Sequence, residues 1–147
     1  MKFTLNNKRS SRIGQAGFTL VEVMIVLAII VMLGSFAGVK LIDQFKKAKI
    51  DSAKVQIAQY QQALQAYYLA HNNYPHSTQG LEALISKPTV GKIPENYPTG
   101  GYFGKKELVK DPWGNPYRYE SEDYQNFSVI SDGPDGEPGT EDDIKQE

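Results

Sequence analysis

The sequence predicts an α+β fold: one long N-terminal α-helix packed against a small C-terminal antiparallel β-sheet with ordered loops. Three observations carry this. No proline occurs before Pro75. Apolar residues recur at helical spacing up to that point. Beyond it, short alternating runs lie between clusters of Gly, Pro, Asn and Asp, the pattern of strands joined by turns.

At 147 residues the chain has room for one modest domain plus an anchoring or targeting element. A net charge of −1 offers no global field for nucleic acid, and no nucleic-acid partner is expected. The absence of Cys excludes a disulfide framework, a thiolate nucleophile and a thiolate zinc site. His71 and His76 are the only histidines, and neither a G-x-S-x-G elbow nor a phosphate-cradling loop occurs. The chain is therefore read as no enzyme.

Residues 1–17 carry Lys2, Lys8, Arg9 and Arg12 and no acid. They read as a basic cytoplasmic leader under the positive-inside rule. Residues 18–39 contain a single ionisable group, Glu22. At about 1.5 Å per residue this run is long enough to cross a hydrocarbon core of roughly 30 Å, so it is expected to span the membrane. A secretory signal peptide fits less well, because its apolar core is shorter and ends in a small-residue cleavage site.

Glu22 does not suit a plain anchor. A carboxylate at the centre of a membrane helix costs about 2.5–3.5 kcal/mol even on the gentler insertion scale. A cut between Gly17 and Phe18 would remove the difficulty. Phe18 would then carry a charged amino terminus one helical turn from Glu22. That carboxylate would be favoured by the helix dipole and placed to pair with the amino group of a neighbouring copy.

The helical pattern continues through residues 40–73, read as an amphipathic periplasmic half. Ala53, Ile57, Tyr60, Leu64 and Tyr67 form its apolar stripe. Gly34 and Gly38 have G-x-x-x-G spacing, which permits close helix approach or a locally looser helix. Asn72, Asn73 and Pro75 end the helix. Residues 74–147 then read as a globular region. Within it, residues 77–88 are expected to form a short helix capped by Ser77 or Thr78. Residues 89–110 form an ordered loop, residues 111–116 a turn, and residues 117–120 and 127–131 two antiparallel strands, with Trp113 beneath the hairpin.

These landmarks resemble a known family. A basic leader ending in Gly17, then "FTLVE" and a long apolar run, is similar to the N-terminal signal of type IV pilins and type II secretion pseudopilins. "YPHSTQGLEALISKP", "DPWGNPYRY" and "SVISDGPDGEPGTEDDI" resemble successive motifs of the major pseudopilin of type II secretion systems. The resemblance implies a pilin-like lollipop, cleavage after Gly17 by a prepilin peptidase/methyltransferase, an N-methylated Phe18, and Glu22 as the glutamate needed for assembly. It also implies a homopolymer that works with minor pseudopilins and an inner-membrane assembly platform to export folded proteins across the outer membrane. The subunit would start in the inner membrane, N-terminus cytoplasmic and C-terminal domain periplasmic, and end in a periplasmic pseudopilus. A type IV pilus or competence pilin subunit is the alternative.

The acidic C-terminal stretch has two readings. Asp135, Asp142 and Asp143, separated by turn-forming glycines, can fold oxygens around a hard cation, or they can form a solvated tail. The family resemblance implies a structural Ca2+ here, with carboxylates from Asp135, Asp142 and Asp143 and a backbone carbonyl from Asp132.

Overall fold

The computed structural model describes residues 17–146, with only the backbone described over residues 35–40. Residues 1–16 of the expected leader lie outside the described residues. One long helix, α1, runs Leu20–His71 and contains 52 residues. The chain divides within it, between Leu41 and Ile42, into two compact units.

The N-terminal unit presents its apolar side chains outward: Leu20, Val21, Met24, Leu27 and Ile30 are all more than half exposed. Among the described residues no helix is long and apolar enough to cross a membrane; the side chains of residues 35–39, the last part of the expected span over residues 18–39, lie outside those described.

In the second unit the stripe read from the sequence becomes the core. Ala53, Ile57, Tyr60, Leu64 and Tyr67 of α1 are fully buried. They pack with Leu81, Ala83, Leu84, Tyr117, Val129 and Ile144. α1 ends where Asn72 takes a left-handed conformation, φ 55°, and its N–H donates to the Tyr68 carbonyl at 2.7 Å. This closes the helix with the single bond of an αL cap.

Three antiparallel strands follow, β1 (Arg118–Glu120), β2 (Ser128–Ser131) and β3 (Ile144–Lys145), in spatial order β1-β2-β3. Tyr119 lies opposite Val129, and Ser131 opposite Ile144. The first two strands match the expected hairpin. The third was not expected.

The short helix is a single 3₁₀ turn, Leu81–Leu84, preceded by Gly80 with no side-chain cap. Ser77 is not its cap, because its hydroxyl is committed elsewhere: it accepts from the Ser121 N–H at 2.8 Å at the hairpin turn. Trp113 is half-buried at the margin of the core, with Lys49 Nζ 5.8 Å from its ring centroid, and the core centre is filled by Tyr60 and Tyr67 instead. Burial pushes the Tyr67 hydroxyl pKa up to about 12.

The loop over residues 89–110 is held by polar anchors distant in sequence. Gln79 Nε2 donates to the carbonyls of Val90 and Lys92, and the N–H groups of Tyr102 and Phe103 donate to the Leu84 carbonyl. The Tyr60 hydroxyl both accepts from the Val109 N–H and donates to the Val109 carbonyl, at 2.8 and 2.9 Å.

Candidate functional site

Two regions carry the candidate residues. At the first, helix α1 starts immediately after Thr19, whose Oγ1 accepts the Glu22 N–H at 3.2 Å. Thr19 is thus the N-cap, satisfying one of the donors that a helix start leaves unpaired. The spacing T-x-x-E is a capping-box signature readable in the sequence.

The cap uses the backbone of Glu22 and leaves its carboxylate exposed. Among the described residues it has no ion-pair partner in its own chain, while Phe18, 82 % exposed, sits at the start of the apolar run. Among the described residues a Cβ added to Gly17 would meet nothing within 4 Å, so their packing does not require a small residue at position 17.

The second region is the loop from β2 to β3. Its base is fixed by Asp111: Oδ2 accepts the Ser131 hydroxyl at 2.8 Å, and Oδ1 accepts the N–H groups of Trp113 and Asn115. Gly133 follows with φ 68°, and a Cβ there would collide with the Asp142 carbonyl oxygen. That close approach of the two loop arms is open only to glycine.

The four expected aspartates are not equivalent. Asp132 and Asp143 are brought together by Arg118, which sequence reasoning missed. Its Nε and Nη2 donate to Asp132 Oδ1 at 3.0 and 2.9 Å, and Nη2 also donates to Asp143 Oδ2 at 3.0 Å. Nη1 donates to Glu120 at 2.7 Å. Burial disfavours the guanidinium charge, but hydrogen bonds to Asp132 and Glu120 outweigh it and push the Arg118 pKa up. Asp135 instead accepts the Glu137 N–H at 3.1 Å in an exposed turn, and the Asp142 side chain is exposed.

A calcium ion takes about 6–8 oxygen ligands. Among the described residues no three acidic or histidine side chains stand close enough together to hold a metal ion. One observation fits the group nonetheless. Asp143 Oδ1 is buried with no hydrogen-bond partner, although Oδ2 of the same carboxylate accepts from Arg118 and from the Gly139 N–H. A buried carboxylate oxygen without a donor is costly, and a hard cation would satisfy it.

A long helix whose N-terminal part carries outward apolar side chains and, among the described residues, a carboxylate near its start without an ion-pair partner, together with a small antiparallel sheet, is the pattern of pilin-like assembly subunits. The comparisons specify the member. The family model described as "Type II secretion system (T2SS), protein G" matches residues 40–147, and the "Prokaryotic N-terminal methylation motif" matches residues 12–38. The type II secretion system core protein G of Aeromonas hydrophila is 44 % identical over 131 residues, covering 88 % of this chain and 90 % of that protein. Its counterpart from Pectobacterium carotovorum is 41 % identical over 140 residues, covering 95 % and 88 %. The crystal structure of the major pseudopilin of enterohaemorrhagic Escherichia coli aligns with a TM-score of 0.63 at 40 % identity, covering 71 % of this chain and 87 % of that one.

The chain belongs to the type II secretion system protein G family. It is a structural subunit of the secretion pseudopilus and not an enzyme. Members polymerise with themselves and associate with the membrane-bound secretion machinery.

Proposed function

We propose that the chain is cut between Gly17 and Phe18 by a prepilin peptidase/methyltransferase, then polymerises through its N-terminal helix to drive export of folded proteins across the outer membrane. The subunit waits as a single-pass inner-membrane protein, with its C-terminal domain in the periplasm. Minor pseudopilins and the inner-membrane assembly platform feed it into the fibre. The observation that carries this reading is the exposed apolar run with Glu22 lacking an ion-pair partner in its own chain among the described residues. Neighbouring helices would cover the first, and the amino terminus of Phe18 in another copy would neutralise the second.

Processing tests the first step. Among the described residues Gly17 has open space around it, so Gly17→Glu should leave folding of the globular unit unchanged and block cleavage at the peptidase. Mass spectrometry of the wild-type membrane fraction should find a methylated Phe18 terminus, and the variant should retain the leader. Assembled fibres that keep Met1 would contradict the proposal.

Calcium is proposed as the structural ion of the acidic loop, with Asp135, Asp142 and Asp143 as carboxylate donors and Asp132 giving a backbone carbonyl. When bound it supplies the positive charge that lets these oxygens converge. The buried, unpartnered Asp143 Oδ1 supports the reading. A ligand that binds only the folded state stabilises it by about 2.7 kcal/mol at one hundred times Kd. A fragment starting at residue 43, which keeps the whole buried core, should melt lower in chelator than in millimolar calcium. Magnesium should rescue it poorly, because it demands a smaller octahedral shell. Asp143→Ala should abolish the response. Equal melting temperatures in chelator and calcium would leave the loop a solvated tail.

A further inference from the structure

We infer that Arg118 is the built-in counter-cation of the acidic loop and that it sets how strongly this chain depends on calcium. The inference rests on the calcium reading above. Residues 132–143 contain six acids, Asp132, Asp135, Glu137, Glu141, Asp142 and Asp143, and no base. Among the described residues, Arg118 is the one cationic side chain in ion-pair contact with any of them.

Its position explains the reach. Arg118 lies on β1 opposite Ile130, two residues before Asp132 where the loop leaves β2. Asp143 immediately precedes β3, where Ile144 pairs with Ser131. Both ends of the loop therefore meet at the sheet, and one guanidinium nitrogen, Nη2, grips both: Asp132 Oδ1 at 2.9 Å and Asp143 Oδ2 at 3.0 Å. The Asp143 side chain is only 9 % exposed and that of Arg118 29 %, so the pairing is partly shielded from water and from salt screening.

The geometry leaves Asp143 half used. Oδ2 is taken by Arg118 and the Gly139 N–H, while Oδ1 is buried without a partner. A divalent ion at Oδ1 would share the carboxylate with the guanidinium. Two cations on one carboxylate repel, and each drains charge that would attract the other. Arg118 thus holds the neck of the loop closed without metal, and by the same charge weakens metal binding. Chains with a neutral residue at this position would bind the ion more tightly and collapse further without it.

Isothermal titration of calcium chloride into the purified full-length chain in detergent micelles tests this, paired with thermal unfolding in chelator and in calcium. Arg118→Gln should bind calcium about tenfold tighter, the scale of one charge interaction at close range in a water-like dielectric. Its melting temperature should fall more in chelator than in calcium, widening the gap between the two. Arg118→Lys, whose single ammonium lacks the fork that spans both carboxylates, should shift affinity in the same direction by a smaller factor. It also serves as the readout if Arg118→Gln fails to fold. Unchanged or weaker binding in the folded variants, with equal loss of melting temperature in both media, would make Arg118 a purely structural ion pair and overturn the inference alone. Absence of calcium binding in the wild type and both variants would overturn the calcium reading, and the inference with it.

Discussion

Glu22→Ala leaves cleavage after Gly17 intact and abolishes fibre assembly and secretion. The isolated subunit should hardly register the change. The Glu22 carboxylate has no ion-pair partner in its own chain among the described residues, and the hydrogen bond to Thr19 uses the backbone N–H, which alanine retains. Alanine is also the best helix former. In the fibre the same substitution strands the amino terminus of a neighbouring Phe18 among apolar side chains. Removing one partner of a buried pair costs about 3–5 kcal/mol because the other charge is left uncompensated. Multiplied over every subunit of a polymer, that penalty stops growth. Glu22→Gln separates charge from shape: it keeps the side-chain volume and should fail nearly as completely. Quantifying sheared fibres and secreted protein from cells carrying the variants checks this, and wild-type fibre yield from Glu22→Ala would refute the pairing.

The second large effect is on stability. Tyr60 is fully buried, stacks on Phe103 with ring centroids 4.5 Å apart, meets Tyr117 edge-on at 5.3 Å and anchors Val109 through its hydroxyl. Tyr60→Ala should destabilise the globular unit by about 3–5 kcal/mol, the range for losing a buried aromatic side chain. Tyr60→Phe keeps the ring contacts and removes only the oxygen that pairs with both polar groups of Val109. It should cost about 1–3 kcal/mol, the penalty of leaving buried polar groups unpaired, and should loosen the loop over residues 89–110 selectively. Thermal unfolding gives the first quantity and amide hydrogen exchange at residues 102–110 the second. A Tyr60→Phe variant as stable as wild type would show that the loop is not held through this hydroxyl.

Much of this architecture was legible because its signals are periodic. Five α1 residues at spacings of three and four are all fully buried, and alternation located β1 and β2. The N-terminal signal was legible as a short contiguous string, and the methylation motif matches over it. What stayed hidden is non-local. β3 is two residues long, too short for alternation to register, and it exists only because β2 offers it an edge. The 3₁₀ turn differs from the expected capped helix because Ser77 pairs with Ser121, 44 residues away. The loop over residues 89–110 takes its conformation from Gln79 and Tyr60, not from its own residues. Arg118 reads in sequence as an ordinary exposed strand position. Its role appears only when β1 carries it to the carboxylates that close the loop. Among the described residues Gly34 has open space around it, and Gly38 lies outside the described side chains.

The central claim is that the carboxylate at position 22 meets the cleaved amino terminus of another copy inside a helical fibre. Cryo-electron microscopy of fibres assembled with the matching secretion machinery, at a resolution that shows side chains, tests it most directly. The predicted density begins at an N-methylated Phe18, with the Glu22 carboxylate of a neighbouring subunit within hydrogen-bonding distance, about 2.7–2.9 Å for a charge-assisted pair. Fibres whose subunits keep the basic leader, or in which Glu22 faces solvent or pairs with a different group, would contradict it.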